Sequence, residues 1–375
     1  MGQPLRVLHC LRAPVGGLFR HVLDLAAEQA ALGHEVGLLA CSTVHDRLTE
    51  LRLDGIRAKL ALGITRTAMA RQPGPSDLGV VRFTTALAET LGVDVLHGHG
   101  AKGGAYARLA GRILKRRGRA VSTFYTPHGG SLNFTAGTIE SRVFLGMERF
   151  LHGYTDGLVF ESAYAARVYG DRVCPSPARS RIVPNGLRPA DFVDHRPAAS
   201  AREFLFIGEL RSIKGIDVLL RALAEVNKTR PAQATIVGSG PDGEKLKALA
   251  RELGLERQTT FPGALPARDA FPLGRILVVP SRVESFPYIV LEAGAAGIPL
   301  LTTGVGGIPE ILAGTDTPML TAGDAGQLAR HMLQALDDGT EMQARAERLK
   351  AVVAERYTVA GMTQAILAFY ADRRS

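Results

Sequence analysis

Cysteine is scarce in this chain: three in 375 residues, Cys10, Cys41 and Cys174, far apart and without a C-x-x-C spacing. That excludes a disulfide framework or a cysteine-based zinc site and leaves three thiols in or near the core. Long apolar runs are missing as well. None approaches the roughly 20 residues that cross a bilayer, and the start, Met1-Gly2-Gln3-Pro4-Leu5-Arg6-Val7-Leu8-His9, lacks the apolar stretch of a secretory signal. A cytoplasmic protein is therefore expected. Net charge is absent from the second half: residues 197–375 hold 20 basic and 20 acidic side chains, whereas residues 1–196 hold 25 and 16. All of the net charge of +9 thus belongs to the first half.

With 46% hydrophobic and 22% charged residues, the rest of the composition is that of an ordinary globular protein. Its length exceeds one comfortable core, so two domains are expected. Short apolar strands alternate with helical segments throughout, the pattern of parallel sheets covered by helices on both faces. Strands are expected near residues 5–9, 35–40, 93–97, 120–125, 157–160 and 180–183. In the second half they are expected near 203–208, 234–237, 258–261, 276–280, 298–302 and 317–320. The proline-rich connector Arg188–Ser200 reads as the linker, dividing the chain into 1–196 and 197–356.

Within the basic half, Arg108, Arg112, Lys115 and Arg119 recur at helical spacing beside Arg116, with Leu109, Ile113 and Leu114 on another side. This stripe has two readings, a solvated face or a patch for anionic lipid or a phosphate-rich acceptor. Nucleic acid is not expected, because no recognition motif or interleaved aromatic accompanies the charge.

The most informative segment is Glu284-Ser285-Phe286-Pro287-Tyr288-Ile289-Val290-Leu291-Glu292. The preceding apolar run Arg275–Ser281 reads as a strand, so Glu284 falls in the loop beyond a carboxyl end, where open α/β sheets bind ligands. Pro287 suits the first turn of the next helix, leaving the amides of Ser285 and Phe286 free for an anion, with Glu292 on that helix. Two acids eight positions apart are by themselves often only a solvated face. Arg211 and Lys214 follow the strand ending at Gly208, in a loop that opens a helix. Two cations beside free helix amides form an anion site, which a diphosphate fits.

Gly238 and Gly240, after Val237, satisfy a G-x-G-x-x-G spacing, yet the next strand ends Thr260-Phe261-Pro262 without the acid that a dinucleotide ribose requires. Either the loop lets backbone approach a base or ribose, or it is a structural turn. Gly16 and Gly17 open a helix after the first strand, and the second strand, ending at Ser42, also lacks that acid; a nicotinamide cofactor is not expected. His97 and His99 alternate along a strand and His128 follows another. Without neighbouring carboxylates or cysteines, no metal site is expected there. Asn185-Gly186 reads as a turn.

In order along nearly the whole chain, Gly16-Gly17, His128-Gly129, Val183-Pro184-Asn185-Gly186, Gly208 to Gly215, Val237-Gly238-Ser239-Gly240-Pro241 and the glutamate pair resemble the retaining glycosyltransferases of family 4. The resemblance implies an α/β fold of the GT-B type, two Rossmann-like domains facing a central cleft, with the last helix, 357–375, crossing back onto the first domain. It implies that Arg211 and Lys214 hold the donor diphosphate, Glu292 the ribose and Glu284 the sugar hydroxyls. Gly208, Val237, Gly238, Gly240, Ser285, Phe286 and Pro287 would line the donor, with Gly16 and Gly17 facing its phosphate. His128 matches a histidine near the transferred sugar; His99 matches a position that is either a sugar or acceptor contact or structural. Catalysis would rest on Glu284, His128, Arg211 and Lys214.

The donor would be a nucleotide sugar of UDP or GDP type, the acceptor a carbohydrate or lipid-linked hydroxyl, and no cofactor or metal is implied. No Asp-x-Asp, the metal-diphosphate motif of the other glycosyltransferase fold, occurs. The expected activity is retaining transfer in bacterial-type surface polysaccharide or glycolipid assembly, in the cytoplasm or peripherally on the inner membrane face. A non-enzymatic nucleotide-sugar-binding scaffold and a GT-B sugar-nucleotide epimerase are the alternatives. Phe160-Glu161-Ser162 departs from the family pattern, which often has a small or hydroxyl residue before the serine.

Overall fold

In the computed structural model, residues 3–44, 47–129, 138–175 and 179–372 are described. The chain divides into two compact units, residues 1–186 with 359–375, and residues 187–358. The first contains strands β1 (Arg6–Leu11), β2 (Glu35–Cys41), β3 (Ile64–Thr67), β4 (Val95–His99), β5 (Ser122–Thr126), β6 (Gly157–Phe160) and β7 (Ser180–Ile182). The second contains β8 (Arg202–Ile207), β9 (Ala234–Val237), β10 (Thr259–Gly263), β11 (Gly274–Val279), β12 (Leu300–Thr303) and β13 (Met319–Leu320). Near-continuous apolar strands such as β8 and β11 fit sheets covered on both faces, and every strand pair is parallel.

The orders are β3-β2-β1-β4-β5-β6-β7 and β10-β9-β8-β11-β12-β13. Each reverses once, between β1 and β4 and between β8 and β11, and the carboxyl ends beside such a reversal form the ligand crevice of an open sheet. Both units are thus Rossmann-like. Strand β3 lies outside the expected set: Ile-Thr-Arg-Thr is too short and polar to announce itself, and only pairing with β2 makes it an edge strand.

The division falls at Gly186/Leu187, not after residue 196. Leu187 is fully buried in the second unit's core with Val353 and Tyr357, and its amide donates to the Tyr357 carbonyl at 2.8 Å. Asp194 pairs with Lys350, and the His195 ring lies 5.4 Å from that of Phe271. The expected linker is therefore fastened to the second unit for much of its length. The helix Val359–Ala371 belongs to the first unit, where Ile366, Phe369 and Tyr370 are buried with Val7, Leu25, Phe124 and Val159.

Candidate active site

In the second unit, the loops after β8 and β11 adjoin the reversal, and they are tied together. The Arg282 amide donates to the Ile213 carbonyl at 2.8 Å, and its guanidinium donates to both carboxylate oxygens of Asp217 at 2.7 Å. Those hydrogen bonds, with the paired charges, hold the Asp217 carboxyl below its ordinary range against the opposing effect of burial. Gly215 adopts φ +70°, and a Cβ there would stand 1.9 Å from the Pro280 carbonyl oxygen, so this contact between the loops requires glycine.

The clamp brings Lys214 and Glu284 together. Lys214 Nζ donates to Glu284 Oε1 at 2.7 Å, and the Ser281 hydroxyl donates to the same oxygen at 2.7 Å. Glu284 is 8% exposed and Lys214 24%, so the ammonium lies nearer solvent than the carboxylate. Arg211 is more open, 3.6 Å from Glu209 and 43% exposed. Pro287 is the residue just before the helix, which spans Tyr288–Ala295, rather than part of its first turn. Phe286 is buried with its ring 5.6 Å from Tyr357, Ser285 is half-buried, and Glu292 stands half-buried in the helix's second turn.

Gly238 and Gly240 have an explanation within the fold. A Cβ on Gly238 would lie 1.8 Å from the Gly208 carbonyl oxygen, and one on Gly240 2.5 Å from that of Leu210. The Leu210 amide donates to the Ser239 carbonyl at 2.9 Å, joining these loops beside the end of buried Val237. The spacing thus marks two backbones in close approach at the crevice rather than a dinucleotide fingerprint. Arg282 and Asp217 escaped the sequence reading because nothing local announces a partner 65 residues away, and Ser281 escaped it because it reads as the end of an apolar strand.

In the first unit, Gly16 (φ +65°) and Gly17 begin the helix Gly16–Ala31 after β1, and His99 ends β4. Five histidines converge there. His9 Nδ1 meets His99 Nε2 at 2.9 Å, His99 Nδ1 meets His128 Nε2 at 3.1 Å, and His21 Nδ1 donates to Asn185 Oδ1 at 2.9 Å. His97 lies between Tyr370 Oη and Thr126 Oγ1. Burial depresses every one: His9 and His21 fall to about 4, and His97, His99 and His128 lie well below the ordinary histidine value. All are neutral near pH 7. His128 adopts φ +53°, the only positive value among the described non-glycine residues. Asn185, expected as a turn residue only, is 4% exposed and fixes His21. The one polar residue within the apolar run Val7–Leu11 of β1 was the available signal for His9.

The basic residues expected as one stripe do not share a surface. Arg108 is fully buried: its guanidinium lies 3.9 Å from the Tyr125 ring centre and donates to Glu148 at 2.9 Å, while the Tyr125 hydroxyl donates to the other Glu148 oxygen at 2.8 Å. Helix Gly100–Arg116 sinks into the core at its amino-terminal end and emerges only later, a change of surroundings that spacing cannot reveal. Arg112 stacks on Tyr154, and the helix ends before Arg119. Lys115, Arg116 and Arg119 are exposed, Lys115 pairing with Asp156 and Arg119 with Glu89. Ser162 caps the helix Ala163–Arg172 by accepting from the Ala165 amide at 3.0 Å, and Glu161 before it is buried.

Residues 15–191 match the family described as Glycosyltransferase Family 4, and residues 201–338 match Glycosyl transferases group 1. The chain belongs to glycosyltransferase family 4. This family 4 glycosyltransferase is 28% identical to the D-inositol 3-phosphate glycosyltransferase of Acidothermus cellulolyticus, over 99% of its own length and 88% of the relative's. It is 28% identical to a glycogen synthase of Mycobacterium tuberculosis, over 88% and 85%. Its fold is GT-B: Anabaena HepE, solved with UDP and glucose, superposes with a TM-score of 0.81 at 17% identity, over 98% of this chain and 99% of that one.

Proposed function

We propose that this glycosyltransferase moves a sugar from a nucleoside-diphosphate donor, of UDP or GDP type, to an acceptor hydroxyl with retention of anomeric configuration. The observation that carries the reading is the Lys214–Glu284 contact at 2.7 Å beside the β8/β11 reversal. It sets an ammonium for a diphosphate against a carboxylate for sugar hydroxyls, with Arg211 adding a second, more accessible cation. The solved complex of HepE with UDP and glucose and the transferase names of the relatives support a nucleotide-sugar donor.

Lys214 and Arg211 stabilise the leaving diphosphate, while Glu284 and Glu292 orient sugar and ribose. In a front-face displacement the acceptor hydroxyl forms the new bond to the anomeric carbon as the bond to the phosphate oxygen breaks. The departing phosphate takes the hydroxyl proton, so no protein nucleophile enters. Neutral His128 is the histidine that the family resemblance assigns to catalysis. The acceptor is a carbohydrate or lipid-linked hydroxyl in surface polysaccharide or glycolipid assembly; contact with an anionic membrane would rest on Lys115, Arg116 and Arg119. Incubation with a panel of nucleotide sugars and acceptors, read by nucleoside-diphosphate release and by NMR of the early product, tests the reading. An inverted linkage would overturn retention, and the absence of release from every donor would overturn transfer.

A further inference from the structure

His21, His99 and His128 each bring a ring nitrogen within 4.8 Å of the others. Their tautomers are set from outside. The His21 Nδ1–H donates to Asn185 Oδ1, leaving a lone pair on Nε2, and among the described residues that atom has no hydrogen-bond partner although His21 is 1% exposed. Gln29 Oε1 can only accept, so His9 Nε2, 2.8 Å away, holds a proton and His9 Nδ1 holds a lone pair. His99 Nε2 must then donate to His9 Nδ1, which leaves the His99 lone pair on Nδ1, toward His128. A histidine whose outer N–H is fixed by a neighbour and whose inner lone pair faces a common point is arranged as a metal ligand.

We propose that His21, His99 and His128 form an inhibitory site for a transition-metal ion of the Zn²⁺ or Cu²⁺ class. Imidazole nitrogens without carboxylates favour such ions over Mg²⁺ or Ca²⁺, and three histidines with a fourth position open to water suffice for zinc. Two ligand nitrogens at about 2.0–2.1 Å from a tetrahedral ion lie roughly 3.3–3.4 Å apart. The His99–His128 contact at 3.1 Å therefore needs to open by only a few tenths of an ångström. His128 now fills that contact with its Nε2 proton; on binding it takes the tautomer protonated at Nδ1, so Nε2 can bind the ion with no net proton change. His128 is the least buried of the three and provides the entrance. The alternative set, His9, His97 and His99, is less suited, because both nitrogens of His9 and of His97 already have partners. Binding does not depend on the proposed function. Inhibition does, since the ion occupies His128, which the family resemblance assigns to catalysis.

Equilibrium dialysis of the full chain, stripped with chelator, against Zn²⁺ should give one tightly bound ion, and Co²⁺ should show the visible absorption of a tetrahedral site. His21→Gln should weaken binding by at least tenfold. Asn185→Leu, which removes the outer hydrogen bond, should weaken it by roughly 10- to 100-fold. His331→Ala, in the second unit, should leave it unchanged. Circular dichroism checks that each variant is folded, and the two independent variants guard against one failing to fold. Absence of stoichiometric binding by folded wild type, or equal binding by folded variants and wild type, would overturn the site. Zn²⁺ should also suppress transfer, reversibly with EDTA. Stoichiometric binding with undiminished transfer would overturn the inhibitory role, whereas lack of transfer in metal-free protein with every donor would count against the proposed function alone.

Discussion

Lys214 and Glu284 are each other's nearest charged partner as well as candidate ligands for the donor, so neither can be removed without consequence for the other. We expect Lys214→Ala and Glu284→Ala each to lower transfer at saturating donor by about 10- to 100-fold, the loss of a charged hydrogen bond of about 1.5–3 kcal/mol. Both should keep native near-UV dichroism, with a lowered melting temperature for Lys214→Ala because the carboxylate left behind is nearly buried. Full transfer by either folded variant would remove these residues from the site. Arg108 belongs to another category. Its guanidinium is buried against Glu148 and Tyr125, so Arg108→Ala should destabilise the first unit by about 3–5 kcal/mol, measured by denaturant unfolding. A change below 1 kcal/mol would show that the buried pair is not structural.

At the scale of elements, β1, the helix Gly16–Ala31, β4 and the loop after β5 place the histidines, and the loops after β8 and β11 place the charged pair. Strand identity was legible from apolar runs bounded by glycine and proline, which is why the approximate positions of twelve strands agree with those in the structure. The short edge strand β3 was not legible, because its stability comes from pairing with β2 rather than from its own residues. The histidine-bearing elements carry a pH dependence. A histidine buried neutral binds its proton less readily when folded, so the unfolded chain takes up protons first as pH falls below about 6.5. Stability from His9 and His21 is therefore fully present above pH 6.5 and declines toward their folded values of about 4. The first unit should unfold on acidification within that window, monitored by Tyr dichroism, and His9→Gln should shift its midpoint to lower pH. An unchanged midpoint would show that the cluster does not govern acid sensitivity.

For the molecule as a whole, the last helix is a structural part of the first unit although it follows the second in sequence. Ending the chain at Thr358 would uncover Val7, Phe124 and Val159 and remove Ile366, Phe369 and Tyr370, each worth about 1.5–3 kcal/mol of burial. That total rivals the 5–15 kcal/mol stability of a typical domain. The truncated chain should show loss of the first unit's cooperative melting while residues 187–358 retain theirs; two intact transitions would refute this. Transfer should persist in EDTA, because Lys214, Arg211 and loop amides supply the positive potential for a diphosphate; complete, metal-reversible loss would require a different site.

Local chemistry determined what the sequence could disclose: strand and helix order, the GT-B resemblance, and charged residues at strand ends where open sheets bind ligands. Those signals lie within a few residues of each other, in periodicity, turn formers and cations beside glutamates. Tertiary structure alone decided that Arg108 is a core residue, that Asn185 orients His21 across 164 positions, that Arg282 clamps Asp217 across 65, and that five histidines share one buried cluster. The physical reason is that burial and partner identity are properties of contacts between distant segments. A side chain's spacing along its own helix or strand records only the direction in which it points, not what the rest of the chain has brought to meet it.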